Sequence, residues 1–241
     1  EKEIIYWYNI IGSLYEKEVR IIKILFWNIY NKNLISPLID MIKENQLDIV
    51  SLAEAENLDI TAILNHLKLS GNEWNNIQIS PQNDIRVLAK KEIKIIPYKE
   101  DGHYSIYKIK KYDKVDCLLV VVHLLSKKTK SNEAQYNRAN DIARELNKYE
   151  QEIFENNEKR TIIVGDFNMQ PYEAGICSGY GFNATMSASH AAKKTRKIDG
   201  RTTYLYFNPI WALMGANKLV QGSYYNSGDK DDHAIYWYSF D

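Results

Sequence analysis

The chain is 241 residues long, and its 31 lysine and arginine residues balance its 31 aspartate and glutamate residues. A chain of this length buries a substantial core, and since only five prolines and eleven glycines are spread along it, we expect one domain rather than several joined by linkers. The charge balance excludes a uniformly basic nucleic-acid-binding protein, the two cysteines exclude a cysteine-based metal cage or disulfide framework, and no apolar run is long enough for a membrane-spanning helix.

The first 20 residues are predicted to form a helical extension outside the main domain. Their apolar residues recur at the three- and four-residue spacing of a helix that packs on a neighbour. They include Tyr6, Trp7, Ile10, Ile11 and Leu14. The segment lacks the charged, apolar and small-residue layout of a signal peptide, so we expect a cytoplasmic protein.

From residue 21 onwards, short runs rich in isoleucine, valine and tyrosine alternate with two segments of helical period. The runs predict strands, several of them buried on both faces, at 21–27, 49–52, 85–89, 93–96, 104–109, 117–123, 162–164 and 234–240. Apolar stripes predict helices at about 36–45 and 132–154. Together these elements predict an α/β fold in which strands outnumber helices.

Polar residues stand where several of the predicted strands end. They are Asn28, Glu54, His123, Asp166 and Asn168. Strand ends in layered α/β folds leave the packed core but keep a rigid support, so we expect a functional site there. Asp166 and Asn168 are two positions apart and are expected to share a face, because side chains alternate with period two in extended backbone.

Each of these residues also has an ordinary explanation. The cluster from Gly165 to Asn168 is typical of a turn, Glu54 of an exposed carboxylate, and His123 of a histidine satisfied at a strand end. Polar residues at four separate strand ends exceed what turn chemistry alone predicts. The pattern therefore favours a site over a set of turns.

Four segments in succession carry a resemblance to a known family. Residues 24–28, 48–54, 121–124 and 163–168 resemble, in order and in host element, four motifs of the endonuclease/exonuclease/phosphatase superfamily. That superfamily includes pancreatic deoxyribonuclease, abasic-site endonucleases, inositol-polyphosphate phosphatases and bacterial sphingomyelinases. The resemblance spans about residues 21–241 and implies a deoxyribonuclease I-like, four-layer α/β/β/α sandwich that cleaves phosphate esters with the help of a metal. One departure is Ala53, where most members have glutamine.

The resemblance implies a role for each matched residue. Glu54 and Asn28 match the metal-binding positions, with Mg²⁺ as the ion and Mn²⁺ as the alternative. Asp166 matches the residue that orients or deprotonates the attacking water. His123 matches a position that contacts the scissile phosphate, and Asn168 matches the amide that holds a phosphate oxygen as charge develops.

The family closes with a Ser-Asp-His motif, for which the sequence offers two alignments. In the first, Asp232 and His233 are the motif, with Asp232 near the metal and His233 as the catalytic histidine. In the second, which we favour, Asp241 orients a terminal histidine, as in a bacterial subgroup whose penultimate strand opens with Phe-Asp. We then expect the Ser-Asp-His strand beyond Asp241, so that the domain of residues 21–241 lacks its last strand or strands.

The resemblance implies a Mg²⁺-dependent phosphodiesterase, and lysine clusters together with 18 tyrosines suit a DNA or RNA substrate. Two alternatives remain open at this point. One is a phosphatase or a sphingomyelinase-type phosphoesterase, and the other is a non-catalytic module that binds a phosphate or a partner on the same fold. A partner segment or domain beyond either terminus is a further expectation.

Overall fold

The structure, a computed structural model, describes residues 6–10, 22–77, 80, 83–111, 114–154, 159–210, 222–226 and 237–241. The chain divides into two units. One, which we call the sheet unit, comprises Ile5–His123 and Glu158–Asp166. The other, the C-terminal unit, comprises Glu1–Ile4, Leu124–Asn157 and Phe167–Asp241.

The first sheet of the sheet unit has five strands in the order β1-β2-β3-β5-β4. They are β1 (Tyr6–Ile10), β2 (Ile22–Asn28), β3 (Ile49–Ala53), β4 (Trp74–Asn76) and β5 (Arg86–Lys90). Strands β2 and β3 are parallel, and the other neighbours are antiparallel. Helix α1 (Ile35–Asn45) makes the crossover between the parallel pair, and α2 (Ile60–Leu69) follows β3.

The second sheet of the sheet unit has four strands in the order β6-β7-β8-β9. They are β6 (Lys94–Asp101), β7 (Tyr104–Lys111), β8 (Lys114–His123) and β9 (Thr161–Asp166). Only the last pair, β8 with β9, is parallel. The carboxyl ends of β8 and β9 therefore lie side by side, as do those of β2 and β3 in the first sheet.

The two sheets pack face to face through alternate side chains of their strands. The inter-sheet core draws Ile24, Phe26 and Val87 from the first sheet and Leu119, Val121 and Cys117 from the second. On the other face of the first sheet, Leu25, Val50 and Leu88 pack with apolar side chains of α1 and α2. Three layers, α/β/β, are thus present within the sheet unit. The predicted fold class, α/β of deoxyribonuclease I-like type, is confirmed.

The C-terminal unit contains one long helix and several short elements. Helix α3 (Asn132–Ile153) begins where the Ser131 side chain accepts a hydrogen bond from the Ala134 backbone N–H at 3.2 Å. The short elements are α4 (Ala174–Cys177), β10 (Ala184–Thr185), α5 (Ala188–Ala191), β11 (Thr195–Ile198), β12 (Arg201–Tyr204), β13 (Tyr206–Phe207), β14 (Tyr224–Tyr225) and β15 (Trp237–Tyr238). None of the helices in the described part of the chain is long and apolar enough to cross a membrane.

The helix expected within residues 1–20 is wrong for the part that the structure describes. Residues Tyr6–Ile10 form β1, which pairs antiparallel with β2 so that Tyr6 lies opposite Phe26 and Ile10 opposite Ile22. Aromatic and β-branched residues fit a pleated sheet well, and here pairing with a neighbouring strand overrides the helical spacing. Of the strand expected at 234–240, residues 237–238 form β15, and residues 234–236 lie outside the described part of the chain.

Candidate active site

Two pairs of parallel strands place polar residues at their carboxyl ends within the sheet unit. Asn28, the last residue of β2, lies opposite Ala53, so that Glu54 follows directly at the end of β3. In the second sheet, His123 and Asp166 are the last residues of β8 and β9 and lie opposite each other. Each sheet thus presents two adjacent polar side chains at the edge where its parallel strands end.

The Asn28 amide holds the carboxylates of the two sheets together. Its Nδ2 atom donates to Glu54 Oε1 at 3.0 Å and to Asp166 Oδ2 at 3.1 Å. Its Oδ1 atom accepts the backbone N–H of Tyr30 at 3.0 Å. This last bond fixes which end of the amide is the donor, because the N–H of Tyr30 needs an acceptor. Glu54 and Asp166 therefore converge on one NH₂ group.

His123 completes the cluster and brings in a residue that the sequence did not single out. Its Nδ1 atom lies 2.7 Å from Asp84 Oδ2, and its Nε2 atom lies 3.5 Å from Glu54 Oε1. Burial alone would lower the pKa of His123, but the hydrogen bond to Asp84 and the negative charges of Asp166, Asp84 and Glu54 outweigh burial and raise the pKa. The site thus holds an imidazole–carboxylate pair beside two further carboxylates.

Asp84 reaches the site because β5 runs antiparallel to β3. The strand that follows Asp84 therefore starts at the edge where β3 ends, and the Ala55 backbone N–H donates to Asp84 O at 3.3 Å. In the sequence, the signal for Asp84 was its place just before the predicted strand 85–89. That signal becomes informative only once the pairing partner of the strand is known.

The backbone at Glu54 has an uncommon conformation that its neighbours stabilise. Its φ of 48° is left-handed, which few residues with a side chain adopt without local support. The Asn31 backbone N–H donates to Glu54 O at 2.7 Å, and Asn31 Oδ1 accepts the backbone N–H of Glu56 at 3.1 Å. The loop after β2 thus positions the carboxylate that follows β3.

Gly165 lies inside β9 rather than in a turn after it. It pairs with Val122, and its φ of 149° lies in a range that side chains rarely allow. A Cβ atom on Gly165 would lie 2.0 Å from Val122 O, so only glycine permits this approach of β9 to β8. The turn was predicted to begin at Gly165, but β9 continues to Asp166 and the chain leaves the strand after that residue.

Asn168 belongs to the C-terminal unit, where its side chain is nearly buried. Its Nδ2 atom donates to Leu124 O at 3.1 Å, and its own backbone oxygen accepts from Gln135 Nε2 at 2.8 Å. The φ of Asn168 is 51°. The extended backbone on which the shared face of Asp166 and Asn168 depended thus does not continue through Asn168, so that argument fails.

A buried glutamine links Asn168 to the loop that precedes α3. Gln135 Nε2 also donates to Leu125 O at 2.6 Å, and Gln135 Oε1 accepts from Lys127 Nζ at 3.1 Å. Lys127 in turn pairs with Glu173 at 2.7 Å. One side chain of α3 therefore ties both the Asn168 backbone and the loop of residues 124–127 in place.

Of the remaining predicted site residues, the described part of the chain includes Asp241, which follows β15. Asp241 is half-buried, and its backbone N–H donates to Ser223 Oγ at 3.3 Å. The neighbouring Phe240 accepts the backbone N–H of Phe167 at 2.7 Å, which connects this segment to the chain just after Asp166. Asp232 and His233 lie outside the described part of the chain.

The donor set fits a hard cation that keeps most of its water. Glu54 and Asp166 supply carboxylate oxygens, and Mg²⁺ is commonly held by one or two carboxylates with waters and substrate phosphates filling the other positions. In the described ranges there is no group of three or more His, Cys, Asp and Glu side chains arranged as a metal cage. Asn28 differs from its expected ligand role, because it turns its NH₂ group toward the carboxylates.

Comparisons with solved structures give similar proteins at low sequence identity. The catalytic domain of human Nocturnin with bound sulfate is 16% identical over 66% of this chain and 70% of that chain, with a TM-score of 0.47. TDP2 from Caenorhabditis elegans is 15% identical over 63% and 48%, with a TM-score of 0.45, so the chain spans about half the length of that structure. An AP endonuclease from Archaeoglobus fulgidus is 14% identical over 62% and 58%, with a TM-score of 0.43.

Comparison with curated protein sequences gives no significant match. In contrast, residues 25–212 match the family model described as Endonuclease/Exonuclease/phosphatase family. This match begins within β2 and extends past the segment of Asp166 and Asn168, so it includes residues 25–28 of the first motif and the other three motifs in full. The chain therefore belongs to the endonuclease/exonuclease/phosphatase family.

Proposed function

We propose that this chain is a Mg²⁺-dependent phosphodiesterase that hydrolyses nucleic acid. The observation that carries the proposal is the convergence of Glu54 and Asp166 on the amide of Asn28, beside the pair formed by His123 and Asp84. Phosphodiester hydrolysis needs a base for the attacking water, a site for a cation and donors for the phosphate oxygens. The cluster offers a group suited to each need.

Asp166 is the proposed base for the attacking water. The Asn28 NH₂ group donates to its Oδ2 atom at 3.1 Å and so orients the carboxylate that would accept a proton from water. Glu54 would hold Mg²⁺ through its carboxylate. When bound, Mg²⁺ supplies positive charge that neutralises the phosphate as negative charge builds up on its oxygens.

His123 is the proposed donor to a non-bridging phosphate oxygen. Its Nδ1 atom is engaged by Asp84, so Nε2 is the ring nitrogen left for a substrate. The raised pKa of His123 favours the protonated ring, in which Nε2 carries a hydrogen. Asn168 is proposed as a second donor, and Asp241 as the carboxylate that orients the family's terminal histidine.

Nucleic acid is the proposed substrate because the chain exposes groups that suit a stacked, anionic polymer. The side chains of Tyr172, Tyr180 and Tyr225 are each about half exposed, and exposed aromatic rings stack on bases. Exposed lysines between residues 193 and 197 add positive charge, which attracts phosphates.

The proposal is tested by incubating the protein with duplex DNA, single-stranded DNA, RNA and a small generic phosphodiester, in Mg²⁺ or in EDTA. We expect Mg²⁺-dependent turnover of a nucleic acid. Asp166→Asn and Glu54→Gln should each lower kcat by about a hundredfold or more, since each removes a group that acts in the transition state. Asp40→Asn and Glu44→Gln, the same changes on the exposed face of α1, should leave kcat unchanged.

Two outcomes would contradict the proposal. Absence of metal-dependent turnover on every substrate would leave a non-catalytic module as the better description. Turnover confined to a phosphomonoester or to sphingomyelin, added to the same panel, would assign the site to a different phosphoesterase reaction. Circular dichroism of each variant checks that a decrease in activity does not come from unfolding.

A further inference from the structure

A short antiparallel hairpin in the C-terminal unit concentrates positive charge. Strands β11 and β12 join through Asp199 and Gly200, both with positive φ, which is the geometry of a tight two-residue hairpin turn. The hairpin and the two residues before it carry five cations and one acid. The cations are Lys193, Lys194, Arg196, Lys197 and Arg201.

One face of this hairpin, which we call the basic hairpin (residues 193–204), is fixed to the segment of residues 177–183. Arg196 Nη2 donates to Cys177 O at 3.0 Å. Ile198 lies so close to Gly179 that a Cβ atom there would be 1.8 Å from Ile198 Cδ1. The only acid of the hairpin, Asp199, accepts the Tyr180 hydroxyl at 2.8 Å. The hairpin is therefore anchored and presents a defined surface.

The opposite face carries a cation and hydroxyl groups. Side chains alternate along a strand, so Thr195 and Lys197 lie on the face opposite to the anchored Arg196 and Ile198. Lys197 pairs across the hairpin with Thr202, and both are exposed. Lysine ammonium and threonine hydroxyl groups are common donors to the phosphates of nucleic acids.

The cations of the basic hairpin also differ from several others of the chain in their pairing. Elsewhere, cations pair with nearby carboxylates: Lys90 with Asp48, Lys91 with Glu73, Lys127 with Glu173, Arg144 with Asp141, and Arg160 with Asp116. Lys193, Lys194 and Lys197 have no such partner among the residues that the structure describes. The chain has zero net charge, so this local excess of positive charge favours binding of an anionic partner.

We propose that the basic hairpin binds the sugar–phosphate backbone of nucleic acid. The inference rests on the proposed function and adds a binding surface to it. A lipid membrane fits less well, because no large apolar side chain of residues 193–204 is exposed to enter a bilayer, and Ile198 is packed against Gly179. Backbone binding through lysine side chains needs no apolar anchor.

The test measures binding separately from hydrolysis. Labelled duplex DNA, single-stranded DNA and RNA are titrated with protein in EDTA, and fluorescence anisotropy gives Kd at several salt concentrations. The double variant Lys193→Gln with Lys197→Gln should bind about tenfold more weakly to the preferred nucleic acid. The slope of log Kd against log salt should fall by about 2, because two fewer lysines neutralise phosphates. The control, Lys43→Gln with Lys148→Gln, removes two exposed charges from α1 and α3 and should bind as the unaltered protein does.

A second variant, Lys193→Arg with Lys197→Arg, keeps the charges and should keep the affinity, which separates loss of charge from misfolding.

The inference is overturned if the glutamine variant binds as tightly as the unaltered protein, if no nucleic acid binds, or if vesicles containing phosphatidylserine bind while nucleic acids do not. Hydrolysis of the small generic phosphodiester is measured in the unaltered protein and in the control variant Lys43→Gln with Lys148→Gln, which should hydrolyse it equally. Turnover of that compound without hairpin-dependent binding would contradict this inference alone, whereas hairpin-dependent binding without any turnover would contradict the proposed function alone.

Discussion

Asp84 orients the His123 ring and is one of the carboxylates that raise its pKa. A carboxylate that accepts Nδ1–H fixes which ring nitrogen carries the proton, and its negative charge favours the protonated ring. Because Nδ1 is hydrogen-bonded to Asp84, Nε2 is the ring nitrogen that can form a further hydrogen bond. A single residue outside the four motifs thus sets how a motif residue acts.

Replacing Asp84 should therefore change the titration of His123. In Asp84→Asn we expect the pKa of His123 to fall, because burial then lowers the pKa with less opposing charge. An NMR titration of the ring protons in EDTA measures this directly. Asp40→Asn on the exposed face of α1 is the matched control and should leave the pKa of His123 where it is. Equal pKa values in the protein and in Asp84→Asn would contradict the assigned hydrogen bond.

The same pair gives a pH-dependent contribution to stability. The pKa of His123 is higher in the folded chain than in the unfolded chain, so the pair stabilises the fold at a pH below the unfolded value. That contribution disappears as the pH rises through the folded-state pKa. The difference in the free energy of unfolding between the protein and Asp84→Asn should thus be larger at about pH 5 than at about pH 9, as measured by urea denaturation.

The sequence predicted which polar residues lie close together better than it predicted their geometry. Asn28, Glu54, His123 and Asp166 stand at strand ends in the sequence, and the structure gathers these four within the sheet unit. Asp84 was not predicted, because its position depends on which strand pairs with β5. Likewise, the Asn28 amide is oriented by the backbone N–H of Tyr30, which donates to its Oδ1 atom. The spacing of residues in the sequence does not predict this hydrogen bond.

Strands β8 and β9 pair at Gly165 in a way that leaves no room for a side chain. Gly165→Ala should lower the free energy of unfolding by about 3 kcal/mol or more, because the added methyl group would meet the backbone oxygen of Val122 and the backbone cannot relax cheaply. The matched control is Gly102→Ala, since a Cβ atom there has nothing within 4 Å. Urea denaturation of both variants makes the comparison. An equal effect at the two positions would contradict the close approach.

The start of α3 supports the loop before it through one buried side chain. Gln135→Leu removes the donor shared by Leu125 O and Asn168 O, so one part-buried and one buried carbonyl oxygen lose a partner. We expect the free energy of unfolding to fall by about 2 kcal/mol. If Asn168 acts as proposed, kcat should fall while KM changes little. Gln151→Leu, on the exposed face of the same helix, should alter neither quantity.

The local sequence pattern predicted some helices and strands but not others, because some of them depend on pairing with another part of the chain. Apolar spacing predicted α1 and α3 to within a few residues, because each buries one stripe. Helix α2 was not predicted, although Asp59 caps it by accepting the Ala62 backbone N–H at 2.9 Å and Ile63 and Leu67 are buried one turn apart. For β1, in contrast, the local pattern fits a helix as well as a strand, and pairing with β2 decides.

For the whole molecule, the carboxylates of Glu54 and Asp166 belong to different sheets of the sheet unit. The Asn28 amide links the end of β3 in the first sheet to the end of β9 in the second, and a cation held by Glu54 would bind beside this link. Binding to the folded chain alone stabilises it by about 2.7 kcal/mol at a hundredfold excess of ligand over its Kd. The family membership and the fold class could be predicted from the sequence. The link between the two sheets could not, because it depends on how the sheets pack.

Mg²⁺ should accordingly raise the Tm of the protein in the absence of any substrate. We expect the increase to disappear in Glu54→Gln and to persist in Glu44→Gln, its exposed counterpart on α1. Differential scanning calorimetry with Mg²⁺ and with EDTA measures the shift. An equal shift in both variants would place the bound ion elsewhere on the molecule.

The hydrogen bond from Asn28 to Asp166 joins residues 138 positions apart in the chain. Contacts between such distant residues close long loops and form late in folding, after local helices and hairpins. If the chain hydrolyses nucleic acid as proposed, this activity would be absent from partly folded chains, even those in which each strand has already formed. In a refolding experiment, recovery of turnover should lag behind recovery of secondary structure, so the reaction itself reports completed folding.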